Sequence, residues 1–341
     1  GAVWNGAISL VFLYLFTHFD ADLVRTIYTF LRDIRLAEIT RLDGGFFRIF
    51  IQTQFFTIFF GWFLFCFVVL LKPLKVRLQS ALLLSGVVAT FLLSLSRSFW
   101  VGVGVALIFL VIFLIRFDLK NTVKSIPWML GSVIVGIASI FLFTFFPFPS
   151  QHPDATNLTD AFFQRSETDV AVSSRWKLLE PMQEAIRERP MFGQGFGASV
   201  SFISDDPRVR EIQPDGMWTT RSMEWGWLEL WLKMGVLGPI GFLFLFGFFV
   251  QRLWSYQKTD HAWIGFGCIS GLVFLYTTHL FSPYLNHPIG LGTLLFILIF
   301  LPQKEVAPAM AISIPEHLRI LVKKTEPASA LSLQVEEDRS A

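Results

Sequence analysis

The chain has 341 residues, of which 53% are hydrophobic and only 16% charged, with 39 Phe and a mean hydropathy of +0.57. That balance excludes an ordinary soluble domain and points to an integral membrane protein. The net charge of +2 decides little, because in a membrane protein the side on which charges lie matters more than their sum.

The apolar residues come in runs near the length that crosses a bilayer as helix, without the alternation of a lipid-facing β-strand. The expected fold is an all-α integral membrane protein, a polytopic helical bundle with one large extracytoplasmic loop. About eight spans are expected, near residues 2–17, 51–71, 80–96, 98–115, 126–147, 226–250, 262–281 and 285–301. The links between them hold Lys72, Lys75 and Arg77, then Arg116, Lys120 and Lys124, then Arg252 and Lys258, with Lys304 after the last span. The positive-inside rule puts these in the cytoplasm. Residues 18–50, the turn at Arg97 and the long segment 148–225 then lie outside.

The chain therefore divides into four parts. Residues 1–147 hold the first five spans with an Arg-rich outer loop at 18–50, and residues 148–225 are a periplasmic loop. Residues 226–301 hold the last three spans. Residues 302–341, with Pro302, Pro308, Pro315 and Pro327 among polar residues, read as a disordered cytoplasmic tail. Gly1 opens almost directly on an apolar run without a charged leader, so the chain is expected to begin inside a longer parent. Cys66 and Cys268 sit in separate apolar runs and read as packing residues.

The first outer loop carries Arg25, Arg32, Arg35, Arg41 and Arg48 and no lysine. A helix over 21–39 would gather Ile27, Phe30, Leu31 and Ile34 on one side and lie flat on the membrane. Either Asp20, Asp22, Asp33, Glu38 and Asp43 neutralise these arginines in a solvated face, or the guanidiniums form a phosphate-binding surface. Arg97, in a turn of few polar residues between two spans, is either an interfacial snorkelling residue or part of the same surface.

Within the long loop, Trp176, Leu179, Met182 and Ile186 recur at helical spacing. They predict an amphipathic helix capped by Ser173 or Ser174 and kinked or restarted at Pro181. Arg175 would then lie in the first turn, where the helix dipole disfavours a cation and an anion, carboxylate or ligand, should compensate. Pro190 ends this helix, and Gly193, Gly195 and Gly197 form a close-approach turn expected to pack near the membrane surface. No strand precedes these glycines, so they are not a dinucleotide fingerprint. Glu229 and Lys233 are placed to pair along one helix, and Glu224 either pairs with Arg221 or acts chemically.

Through Ser96-Arg97-Ser98-Phe99-Trp100, Ser174-Arg175-Trp176, Pro190-Met191-Phe192-Gly193-Gln194-Gly195-Phe196-Gly197 and Gly235-Val236-Leu237-Gly238, residues 90–250 resemble the O-antigen ligase and O-antigen polymerase (Wzy-type) membrane glycosyltransferases. The resemblance implies a larger bundle with further spans upstream of Gly1, sited in the bacterial inner membrane with its active site on the periplasmic face. It implies transfer of a glycan from undecaprenyl diphosphate to a glycan or lipid acceptor, without cofactor or metal. Arg97 and Arg175 match the positions that hold the diphosphate. Polysaccharide assembly and export proteins are implied partners; nucleic acid is not.

Where the ligase pattern carries a His-Asn pair, this chain has Glu224-Trp225, 11 residues before Gly235. A carboxylate in a partly desolvated interface can serve as the base. Glu224, Arg175 and Arg97 are thus the candidate catalytic residues, and Arg221, Arg165, Arg41, Arg48, His279 and His287 the candidate substrate-binding residues. The two histidines, flanking the turn Phe281-Ser282-Pro283-Tyr284, are also rival bases. The departure from the ligase pattern favours the polymerase branch, with ligase as the alternative. A transporter or flippase would instead carry ionisable residues at span centres.

Overall fold

The structure, a computed structural model, describes residues 2–34, 36–42, 46–70, 73–149, 170–204 and 207–302. In chain order the elements are α1 (Ala2–His18), α2 (Ala21–Asp33), β1 (Ala37–Arg41), β2 (Phe47–Ile51), α3 (Gln54–Leu70), α4 (Leu74–Ser94) and α5 (Arg97–Thr144). There follow α6 (Val170–Glu188), β3 (Val200–Ile203), α7 (Pro207–Ile212), β4 (Met217–Thr220), α8 (Gly226–Met234), α9 (Leu237–Leu253) with a 3-10 extension Trp254–Lys258, α10 (Ala262–Thr278) and α11 (Pro288–Ile299).

The described chain is mostly helical, and 3 helices are long and apolar enough to cross a membrane: Leu74–Ser94, Arg97–Thr144 and Leu237–Lys258. Gln54–Leu70, Ala262–Thr278 and Pro288–Ile299 are apolar but shorter. Seventeen helical residues reach roughly 26 Å, a little under the ~30 Å hydrocarbon thickness.

The long helix α5 is two helices folded back on each other. Asp118 leaves helical geometry at φ −152°, ψ 76°. Its carboxylate accepts from the Asn121 amide at 3.0 Å and from the Asn121 side chain at 2.6 Å, the N-cap of a new helix. The Thr122 hydroxyl reaches the Leu114 carbonyl at 3.2 Å. Eight residues of straight helix would separate those groups by about 12 Å. The second limb then docks through small polar residues, Ser125 donating to Val68 O (3.2 Å) and Ser132 to Ala81 O (2.9 Å).

The main core joins α3, the first limb of α5, α9, α10 and α11, with Phe55, Phe59, Phe99 and Phe274 fully buried. Cys66 and Cys268 are free thiols buried in the same core. The Asp118 turn and the 254–262 turn meet at one end, where Phe113 lies 4.8 Å from Trp254 and Phe67 4.4 Å from Trp263. The β1–β2 hairpin, the α4–α5 turn, the 188–226 segment and the 279–287 turn lie toward the other end, which carries the candidate site.

The structure corrects two expectations from periodicity. Helix α2 stops at Asp33, and residues 37–51 form an antiparallel hairpin, with Ala37 opposite Ile51 and Arg41 opposite Phe47. Ala37, Ile39, Ile49 and Ile51 alternate into a second core with Leu13, Phe16 and Leu93. Alternating β-branched residues with one buried face outweigh the weak helical pattern. Of the expected α2 face, Leu31 is buried while Phe30 and Ile34 are exposed. A second hairpin, β3–β4, pairs Val200 with Thr220 and Ile203 with Met217, so two short hairpins supplement a mostly helical fold. In α6 the buried face is Leu178, Met182 and Ile186, rotated from the expected one, and Trp176 stays outside. Ser173 and Ser174 lie within α6 rather than at its cap, and Pro181 is accommodated inside it. Arg35, Asp43, Lys72 and the tail from residue 303 lie outside the described residues.

Candidate active site

The site is built on the short helix α8 and what holds its two ends. Glu229 is buried within it. Its carboxylate accepts from the Met223 amide (2.8 Å), the Asn286 side chain (2.9 Å) and the Lys233 ammonium (2.5 Å). One carboxylate thereby ties the segment before α8, α8 itself and the turn before α11. Gly226 opens α8 directly against His279: a Cβ there would lie 2.0 Å from the His279 carbonyl oxygen and 2.6 Å from its ring. Any side chain at 226 would push the start of α8 off α10.

The far end of α8 is closed by the glycine-rich turn. Gln194 and Gly195 amides donate to the Leu232 and Lys233 carbonyls at 2.7 and 3.0 Å, satisfying helix-end acceptors that would otherwise be orphaned. Gly235, at φ +70°, lies where a Cβ would be 2.0 Å from the Met191 carbonyl oxygen. Of the three glycines expected to make a close approach, Gly193 does so, against Lys233 and Gly235 at the end of α8, whereas a Cβ at Gly195 or Gly197 would meet nothing within 4 Å. Leu178, Met182, Ile186, Ala198, Val200, Met223 and Leu232 form a small core beneath, holding α6, β3 and α8 together.

Across the start of α8, Arg175 Nε donates to the Glu224 carboxylate, joining α6 to the residue just before the helix. Both side chains are partly open to solvent, 30% and 49% exposed. Trp225 fixes the pair's backbone, since its indole N–H donates to Arg175 O at 2.9 Å. Its ring lies 5.4 Å from Trp176 and 5.9 Å from Phe281. The next residue, Ser282, donates to the Ser98 hydroxyl at 3.2 Å, beside Arg97. Ser98, Ser282, Phe281, Trp225, Arg175 and Glu224 thus form one connected neighbourhood drawn from α5, the 279–287 turn, the residues just before α8 and α6, with Arg97 next to Ser98 in sequence.

Arg97 is the first residue of α5, where the helix dipole disfavours a cation and the exposed amides favour an anion. The turn presenting it is tight, with Leu95 in the left-handed region at φ +43°. Arg48 braces that turn by donating from Nε to the Ser94 carbonyl at 2.9 Å, while Glu38 lies 3.6 Å from its Nη1. Its guanidinium also sits 4.9 Å over the Phe50 ring.

The remaining candidates separate from this group in different ways. His279 is fully buried and its Nδ1 accepts from the Leu285 amide at 3.1 Å. That bond shapes the 279–287 turn. His287 is exposed and caps α11 by accepting from the Ile289 amide. Arg41 is exposed at the end of β1, Arg221 is exposed three residues before Glu224, and Arg165 lies outside the described residues. Glu224 bonds across the fold to Arg175 rather than to Arg221. Asn286 and Ser282 escaped the sequence reading, because neither falls in a motif and only the fold brings them to Glu229 and Ser98. Among the described residues no three His, Cys, Asp or Glu side chains converge as metal ligands would.

A helical, membrane-embedded bundle with guanidinium groups and a carboxylate gathered at one end defines the class. Residues 80–246, just under half of the chain, match the family model Wzy_C, described as O-antigen ligase. The match contains Arg97, Arg175, Glu224 and Glu229 and both halves of the glycine contact; Arg48, His279 and Asn286 lie beyond it. A search of curated proteins and a search of solved structures each return no match.

Proposed function

We propose that this protein is a membrane glycosyltransferase that extends a glycan carried on undecaprenyl diphosphate at the periplasmic face, with the shorter apolar helices also crossing the bilayer. The observation that carries the reading is the Arg175–Glu224 pair at the open end of the bundle, in the same neighbourhood as Arg97. Breaking a sugar–diphosphate bond requires stabilisation of the departing anion and a base for the acceptor hydroxyl. Arg97 at a helix N-terminus and Arg175 supply the first; Glu224 supplies the second.

The pairing suggests an order of events. The donor diphosphate draws Arg175 away from Glu224, because guanidinium binds phosphate oxygens bidentately. The released carboxylate then accepts the acceptor hydroxyl proton as the new C–O bond forms and the C1–O bond to diphosphate breaks. The diphosphate leaves as an anion between Arg97 and Arg175. Trp225, clamped to Arg175 O, keeps the two side chains in register during the exchange.

The polymerase branch is favoured over the ligase branch because Glu224-Trp225 stands where the ligase pattern has His-Asn. A transport role has less support: among the described residues the buried Asp, Glu, Lys and Arg side chains are Glu229 and Lys233, which pair with each other at the site end. The test uses proteoliposomes carrying an undecaprenyl-diphosphate-linked repeat unit, with and without a lipid A core acceptor. A ladder of products without added acceptor supports the polymerase. Product only with the core acceptor assigns the ligase, and no product with either overturns the glycosyltransferase reading.

A further inference from the structure

The turn 190–197 is tied down on its backbone, yet it turns its apolar side chains outward. Pro190 O accepts from the Val236 amide and from the Trp231 indole, both at 2.9 Å, in addition to the Gln194 and Gly195 bonds to α8. Met191, Phe192 and Phe196 are nevertheless 56%, 82% and 64% exposed. Leaving such side chains in water forgoes the free energy that burying them would gain. A turn held by its backbone has no local use for them.

The patch continues into a membrane-crossing helix. Leu237, Ile240 and Phe244 are exposed at helical spacing along α9, which together with its extension is long and apolar enough to span a bilayer. Leu237 begins this stripe two residues beyond Gly235, whose backbone rests on Met191. On the other side of the turn, Arg187 and Arg189 are exposed at the end of α6. An apolar tip flanked by cations and continuous with a span matches the chemistry of a lipid interface.

We propose that the turn 190–197 is an interfacial anchor. It inserts Met191, Phe192 and Phe196 among acyl chains where α9 enters the bilayer, and it sets Arg187 and Arg189 among anionic headgroups. Because the turn is zipped to the end of α8, the anchor fixes the depth of that helix. The 9 residues of α8 carry its Glu224 end about 13 Å away along the axis.

This goes beyond the proposed transfer activity and is tested without it. Phe192→Cys is labelled with an environment-sensitive fluorophore in proteoliposomes of phosphatidylglycerol and phosphatidylethanolamine, and Glu180→Cys on the polar face of α6 is the reference. Cys66 and Cys268 are buried and are not the labelled thiols. The expected result is blue-shifted emission at 192, quenched by doxyl lipids and shielded from iodide, with the reverse at 180. Replacing phosphatidylglycerol with phosphatidylcholine should weaken doxyl quenching, and the Arg187→Gln/Arg189→Gln background should lose that dependence. Iodide quenching at 192 equal to that at 180 overturns the anchor. Resistance to both quenchers also overturns it, because the patch is then covered by protein. Phe196→Cys gives the second reading should Phe192→Cys fail to fold.

Discussion

Two acid–base pairs whose carboxylates, Glu224 and Glu229, lie five residues apart do opposite work. Glu229 and Lys233 lie on one helix, almost wholly buried, and the carboxylate is also held by Met223 and Asn286. Glu224 and Arg175 are 49 residues apart in sequence, half open to solvent, and paired across two elements. Removing one member of a buried pair strands a charge in a poor solvent for it, whereas an exposed pair exchanges its partner for water or ligand at little cost. The first pair therefore braces the candidate site, and the second is the one that the proposed transfer uses. Chemistry alone does not separate them; burial does.

Breaking the buried pair should have the largest effect. Glu229→Ala leaves Lys233 and the Met223 amide without their acceptor and should cost about 3–5 kcal/mol, read as a lower unfolding temperature in detergent. A double Glu229→Met/Lys233→Leu variant should recover much of that loss, because no charge is then stranded. On the reactive side, Glu224→Gln should lower transfer about 10²–10⁴-fold, as expected for loss of a general base. Its unfolding temperature should stay near that of the parent chain.

Arg175→Ala should lower transfer by about 10²–10³ through lost stabilisation of the leaving diphosphate. Its stability should change by no more than about 1 kcal/mol. Equal destabilisation by Glu229→Ala and Arg175→Ala would erase the distinction between the pairs. The smallest effect is expected at His287, where alanine removes an N-cap worth about 1 kcal/mol and leaves transfer intact. A large loss of transfer there would return His287 to the list of bases.

The same contrast explains what could be read from the chain beforehand. The membrane class, the pairing of Glu229 with Lys233, the helix around Trp176 to Ile186 and the close approach of Gly193 follow from local composition and spacing. So does the fold-back near Asp118, since the charged link 116–124 interrupts two apolar runs. The β1–β2 hairpin was hidden because Ile39, Ile49 and Ile51 acquire a buried face only once α1 and α4 are packed. Glu224 was expected either to pair with Arg221 or to act, and its bond to Arg175 was not legible because it spans the polar segment. Trp176 shows the same limit: helical spacing put it on the buried face, while the fold places it outside beside Trp225. Asn286 and Ser282 carry no local signal and become site residues only when the 279–287 turn is set against α8 and α5.

The most direct test of the partner exchange is the binding of undecaprenyl diphosphate, the leaving group itself, to the parent chain and to Glu224→Gln, measured alongside transfer. The account predicts that Glu224→Gln binds the diphosphate at least as tightly as the parent, because no carboxylate competes for Arg175, while transfer is lost. Diphosphate binding that falls together with transfer, or transfer that survives the substitution, would contradict it.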